Sequence, residues 1–178
     1  MTVLPCDHEW TVVDLGLLPD DGLRYELVDG TLLVSSAPST LHQRCLGNVY
    51  LLLREACPEH LEVFLAPTDY QPTTKRSLQP DVLIVRRDDP GLKAVTTPLE
   101  LAVEVLSPSS LSVDRVLKRE LYRQAGVRSY WVVDPSVPSV DVVDLDAAGQ
   151  YPSDRAIIGP TQLSVPFPLV LDPAQLLR

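Results

Sequence analysis

The segment Leu99-Glu100-Leu101-Ala102-Val103-Glu104-Val105-Leu106 constrains this chain more than any other. It is short and almost continuously apolar, the pattern of a β-strand covered on both faces. Such a strand has to be central, with packed layers above and below it. Glu104 interrupts it. A buried carboxylate without a partner is costly, so the position calls for a cation, a metal or a proton.

The flanking sequence supplies the layers. Residues 24–34 place Asp29-Gly30 between two strand-like runs, a hairpin signal. Between residues 40 and 57, Leu41, Cys45, Leu46, Val49, Leu52, Leu53 and Ala56 recur at helical spacing. Residues 62–66 and 81–85 read as strands, the second entered through Gln79-Pro80, where proline suits a strand's start. Ser112 offers an N-cap, Val113, Val116, Leu117 and Leu121 form an apolar stripe, and Gly126 stands where a helix C-terminus favours glycine. Residues 129–133 and 139–145 read as further strands. The order predicts an α/β fold: a mixed sheet with an N-terminal β-hairpin and flanking helices. With 178 residues, a single domain over 1–178 is expected.

No apolar run approaches the length of a membrane span, and no basic segment followed by an apolar stretch opens the chain, so a cytoplasmic protein is expected. Cys6, Cys45 and Cys57 lack metal-ligand spacing and read as reduced packing residues. The net charge of −9 argues against nucleic-acid binding by bulk attraction. The acids are concentrated at the ends, however, and residues 32–133 hold twelve bases against eleven acids. Within that middle, Arg115, Arg119 and Arg123 form a local excess that could face a polyanion or simply be a solvated helix face.

Asp81 heads its strand much as Glu104 interrupts its own. If the two strands are neighbours, both carboxylates converge on one hard cation such as Mg²⁺, with Mn²⁺ an alternative. Otherwise Asp81 is a turn residue and Glu104 pairs with an arginine. Asp114, Lys118 and Tyr122 follow at four-residue spacing on one helix face. That face either brings an ammonium over the strand ends, where it can stabilise charge on a phosphate, or holds an ordinary helix salt bridge. On an amphipathic helix, Lys118→Met would cost only about 1 kcal/mol or less.

Together, Pro80-Asp81, the run Glu104-Val105-Leu106-Ser107-Pro108-Ser109-Ser110, the Asp114, Lys118, Tyr122 spacing and residues 126–134 resemble the Uma-two family, a restriction-endonuclease-like branch of the PD-(D/E)XK nuclease superfamily. Tyr25-Glu26-Leu27-Val28-Asp29-Gly30 and His42 join the match, which spans about residues 24 to 145. The resemblance implies a restriction-endonuclease-like core and Mg²⁺-dependent hydrolysis of phosphodiester bonds in nucleic acid, DNA foremost. It implies Asp81 and Glu104 as metal-binding, catalytic carboxylates. The superfamily's catalytic lysine normally stands two residues after the glutamate, where this chain has Leu106, and the family's displaced lysine matches Lys118, which the resemblance makes the catalytic lysine beside the nucleophile. Glu26 and His42 match recurrent family positions, as an additional acidic residue and a polar or phosphate-contacting group. Asp114 and Tyr122 would orient Lys118.

Two other functions fit the same residues: an inactive nuclease fold acting as a binding module, and an acid–base hydrolase of a small substrate, which leaves Lys118 without a role. A homodimer is the default assembly, because two-fold dimers are the commonest and a duplex has two strands to cut.

Overall fold

The computed structural model describes residues 2–3, 9–35, 37–88, 91, 93–107 and 111–178; Cys6 and the motif residues Pro108, Ser109 and Ser110 lie outside them. The chain begins with Thr2–Val3 (β1), Val12–Leu15 (α1), Arg24–Val28 (β2), Thr31–Ser35 (β3) and the long helix Thr40–Ala56 (α2). Leu61–Leu65 (β4), Tyr70–Thr73 (β5), Arg76–Leu78 (β6), Val82–Arg86 (β7) and Leu101–Val105 (β8) follow. A π-helical stretch, Val113–Lys118, runs directly into Arg119–Gln124 (α3). Ser129–Asp134 (β9), Ser139–Asp144 (β10), Arg155–Ile157 (β11), Thr161–Leu163 (β12) and Leu169–Leu171 (β13) complete the strands.

The expected mixed sheet is present, in the order β11-β10-β9-β8-β7-β4. Its β8–β9 pair is parallel, while β7 and β8 run antiparallel. All five residues of β8 are buried, as its composition requires of a central strand. Its side chains alternate between two cores. Leu101, Val103 and Val105 join Val82, Ile84 and the α2 residues Cys45, Val49 and Leu53. Ala102 and Leu106 join Leu83, Val85, Leu121, Tyr122 and Tyr130 on the opposite face. Each fully buried aliphatic side chain contributes about 1.5–3 kcal/mol, which is what holds a strand containing Glu104 in place. Because side chains alternate, Glu104 shares the second face with Ala102, and Asp81 shares it with Leu83.

A second sheet, β1-β3-β2-β6-β5, packs beside that face. Its hairpin pairs Arg24 with Ser35 through Val28 with Thr31, closed by Asp29 and Gly30 at φ 48° and 82°. Positive φ at both central residues is the turn that matches strand twist, which explains the Asp-Gly signal. Pairing of Leu27 with Ser77 ties the hairpin to β6, the strand that leads to Asp81.

The helix after β8 departs from its sequence reading. Ser112 is in helical conformation and its side chain forms no cap. Val116 and Leu117 are exposed, and the buried residues are Asp114, Lys118, Leu121 and Tyr122. The buried positions still recur at helical spacing, but on the face of Asp114, Lys118 and Tyr122, where Glu104 and Glu26 supply partners for the ammonium. Gly126, at φ 72°, ends the helix as expected, with Val127 N–H donating back to Tyr122 O at 3.0 Å. Cys45 is buried and Cys57 half-buried, both as free thiols; burial pushes the Cys45 thiol up to about 11 and leaves it an inert packing group.

Helix α2 carries His42 to the site. Ser39 caps it, its Oγ accepting from His42 N–H at 3.2 Å. Ser39→Ala is therefore expected to cost about 1 kcal/mol in urea unfolding, with Ser39→Asp close to wild type. An unchanged midpoint in the alanine variant would show that the cap does not hold α2.

Candidate active site

The side chains of Asp81 and Glu104 meet because of register. Val82 is paired with Val103, so one step further along the antiparallel ladder brings Asp81 opposite Glu104. Both are about 2% exposed and both line an open pocket of about 580 Å³, together with Arg24, Glu26, His42, Asp114 and Lys118. The two sheets, α2 and the π-helical stretch thus each deliver part of one wall.

Lys118 sits at the centre of the acids. Its ammonium lies 3.0 Å from Glu26 Oε1, 3.0 Å from Glu104 Oε1 and 3.6 Å from Asp114 Oδ1. Tyr122 donates its hydroxyl to the same Glu104 oxygen at 2.6 Å, and Gln79 N–H donates to Glu26 Oε1 at 2.9 Å. Tyr122 packs between Tyr70, stacked at a centroid distance of 6.4 Å, and Tyr130, tilted at 5.0 Å, which restrains its ring. Asp81 is held on both oxygens. Arg24 Nη1 binds Oδ1 at 3.0 Å, while His42 Nε2 and Val105 N–H bind Oδ2 at 3.1 and 2.8 Å.

These contacts split the carboxyls. Burial raises Asp81, Glu26 and Glu104, but in Asp81 the bonds from His42, Arg24 and Val105 N–H outweigh it and pull the carboxyl down to about 2. Burial is likewise overcome in Glu26 by Lys118, Arg24 and Gln79 N–H, which lower it. Glu104 goes the other way. Burial dominates over Lys118, and the neighbouring charges of Asp114 and Asp81 add to it, pushing the carboxyl up to about 8. Lys118 is raised, because the attraction of Glu104 and Glu26 exceeds its burial penalty. One carboxyl of the cluster therefore keeps a proton near neutral pH while Asp81 is ionised.

The structure gathers Asp81, Glu104, Lys118, Glu26, His42, Asp114 and Tyr122 at or directly behind one pocket wall. Arg115, Arg119 and Arg123 do not line it. Arg115 pairs with Asp141 at 2.6 Å, Arg119 with Asp154 at 3.0 Å and Arg123 with Glu120 at 2.6 Å. Arg24 went unread in the sequence, although two-residue alternation along β2 places it on the face of Glu26.

Burial also corrects the expectation for Lys118→Met. At 1% exposure, loss of the ammonium leaves three buried carboxyls without their shared cation, so a loss of about 3–5 kcal/mol is expected instead, read by urea or thermal unfolding. A change under about 1 kcal/mol would show that the cluster is not held by Lys118. The pH dependence follows from Glu104. A folded-state value of about 8 against an ordinary 4.5 means that the folded protein binds the extra proton between those limits. Its contribution is complete below about pH 4.5 and is lost as pH rises through 8. Stability of metal-free protein should thus fall from pH 5 to 8, and Glu104→Gln should flatten that decline. Equal slopes in the two proteins would remove Glu104 as the buried acid.

The sequence matches the Uma2 family, described as "Putative restriction endonuclease", over residues 12–172. No curated protein sequence matches it. Among solved structures, its fold is similar to the crystal structure of "a putative nuclease belonging to DUF820" from Anabaena variabilis. The TM-score is 0.76 at 16% identity, covering 94% of this chain and 97% of that one. The family match runs through every residue of the pocket cluster, from Arg24 to Tyr122, and the chain belongs to the Uma2 family of restriction-endonuclease-like proteins.

Proposed function

We propose that this protein is a divalent-metal-dependent endonuclease that hydrolyses phosphodiester bonds, with DNA as its substrate. The observation that carries this reading is the meeting of Asp81 and Glu104 across β7 and β8, beside the Lys118 ammonium, in the wall of an open pocket. A site of that make-up combines oxygen donors for a hard cation with a fixed positive charge next to them.

Magnesium suits this donor set. Glu26, Asp81, Glu104 and Asp114 face two permanent cations, Arg24 and Lys118, which leaves an excess of acids. The carboxyl of Glu104 is raised by burial first, and the charges of Asp114 and Asp81 add to it. Among the described residues no group of three or more His, Cys, Asp or Glu side chains forms a ready-made metal cage. Mg²⁺ does not require one, since it commonly takes one or two carboxylates and completes its coordination with water and substrate phosphate. Asp81 and Glu104 would hold it, with Mn²⁺ as an alternative. Bound there, a divalent cation supplies polarisation of the phosphate and activation of water.

The chain's own groups prepare the site. His42 and Val105 N–H fix the orientation of Asp81. Lys118 holds Glu26, Glu104 and Asp114 together against their mutual repulsion, and Tyr122 orients Glu104 Oε1. Such prepositioning lowers the reorganisation needed at the moment of reaction.

Metal-free protein is expected to leave duplex DNA intact and to nick it on addition of Mg²⁺ or Mn²⁺, with Asp81→Asn and Glu104→Gln each reducing cleavage at least roughly a hundredfold. The same ions should raise the melting temperature of wild type and do so less in the two variants. Cleavage that survives chelation would refute the metal requirement. Folded, metal-saturated protein that cuts neither DNA nor RNA would refute the endonuclease reading and leave a binding module.

A further inference from the structure

Lys118 and Arg24 are the two permanently charged basic side chains that line the pocket among the described residues, and they differ in what they can still bind. An ammonium has three N–H donors. Those of Lys118 face three carboxyls, Glu26, Glu104 and Asp114, at 3.0, 3.0 and 3.6 Å. A phosphate reaching Lys118 would have to displace one of them. The residue that the nuclease motif singles out is thus committed to holding acids together.

Arg24 is only partly committed. Its Nη1 binds Asp81 Oδ1 at 3.0 Å, but its Nε and Nη2 are buried and have no hydrogen-bond partner among the described residues. Nη2 lies 3.7 Å from Glu26 Oε1, beyond hydrogen-bond distance. Nε and Nη2 form the side edge of the guanidinium, where two N–H bonds run parallel and match two oxygens of one phosphate. Buried donors without acceptors are unusual, and these belong to a side chain that lines the open pocket. The acids around them strengthen the case, because Arg24 stays charged under the pull of Glu26 and Asp81 despite its burial. In a pocket this acidic, a fixed cation with donors to spare is where the protein itself can hold an anion.

We propose that Arg24 is the phosphate-binding residue of the site, its Nε–Nη2 edge receiving two non-bridging oxygens of a nucleic-acid phosphate beside Asp81 and Glu104. Identification of that phosphate as part of a nucleic acid rests on the endonuclease reading. Asp81 then has two roles: it belongs to the carboxylate pair and, through Oδ1, it fixes the plane of the guanidinium that receives substrate. Lysine cannot replace Arg24, because it offers a point charge without the parallel donor pair.

The test separates the subsite from catalysis. Inorganic phosphate and thymidine 5′-phosphate are titrated into ¹⁵N-arginine-labelled wild-type protein, and the Arg24 Nε–H resonance is followed with calorimetry alongside. A saturable shift of that resonance is expected. Arg24→Lys and Arg24→Gln, with folding confirmed by circular dichroism, should each weaken phosphate binding at least about tenfold, and Arg24→Lys should raise KM for DNA by a similar factor. A resonance that ignores both phosphates, or a lysine variant that binds them like wild type, overturns the assignment. The wild-type resonance decides even if the variants do not fold. Phosphate binding through Arg24 in a protein that cuts no nucleic acid would keep the subsite and discard the endonuclease. Metal-dependent cleavage with a silent Arg24 resonance would do the reverse.

Discussion

One ammonium group, that of Lys118, stands between carboxyls brought by three separate parts of the chain: Glu26 from the hairpin, Glu104 from the central strand and Asp114 from the π-helical stretch. Two like charges about 4 Å apart in a protein repel by about 4 kcal/mol, so three such carboxyls would drive these elements apart without a shared counter-charge. The proton kept by Glu104 relieves part of the same repulsion. Buried ion clusters add little net stability compared with apolar packing, and the two flanking cores supply the cohesion here. What the cluster determines is arrangement: it makes one relative placement of sheet, hairpin and helix far better than its alternatives.

The position of the lysine has a packing logic. Leu106, two residues after Glu104, is 3% exposed and belongs to the core shared with Leu121 and Tyr122. A lysine there would replace an apolar contact within that core. Reaching in from the following helix, Lys118 leaves the strand end sealed and approaches Glu104 from above. The helix turns Asp114 and Lys118 inward and leaves Val116 and Leu117 exposed.

How much of this was legible depended on the range of the signal. Glu104 was readable because it breaks an otherwise apolar strand, and Asp81 because Gln79-Pro80 marks a strand entrance; their register followed once the strands were neighbours. The hairpin was readable from Asp29-Gly30, whose left-handed backbone few other pairs adopt. The shared face of Asp114, Lys118 and Tyr122 was readable from their four-residue spacing, but that this face is buried in place of the apolar stripe was not, because apolar periodicity does not register a buried ion cluster. The pairing of Arg115 and Arg119 was hidden for a different reason. Asp141 and Asp154 lie far along the chain, and a linear charge run does not reveal which acids fold back against it. Glu26 entered through family resemblance alone, since an acid in a hairpin strand is unremarkable until a buried lysine is found opposite.

The separation of Glu26 and Lys118 along the chain bears on the protein during its synthesis. A ribosome-bound fragment that ends before the π-helical stretch contains the hairpin and both carboxylates of the central strands, but not the ammonium that bridges Glu26 and Glu104. Such a fragment carries Glu26, Asp81 and Glu104 with Arg24 but without Lys118. Synthesis from the N-terminus thus delivers the acids first and the cation that bridges them last, so the site is completed only when that late residue has been added and folded into place.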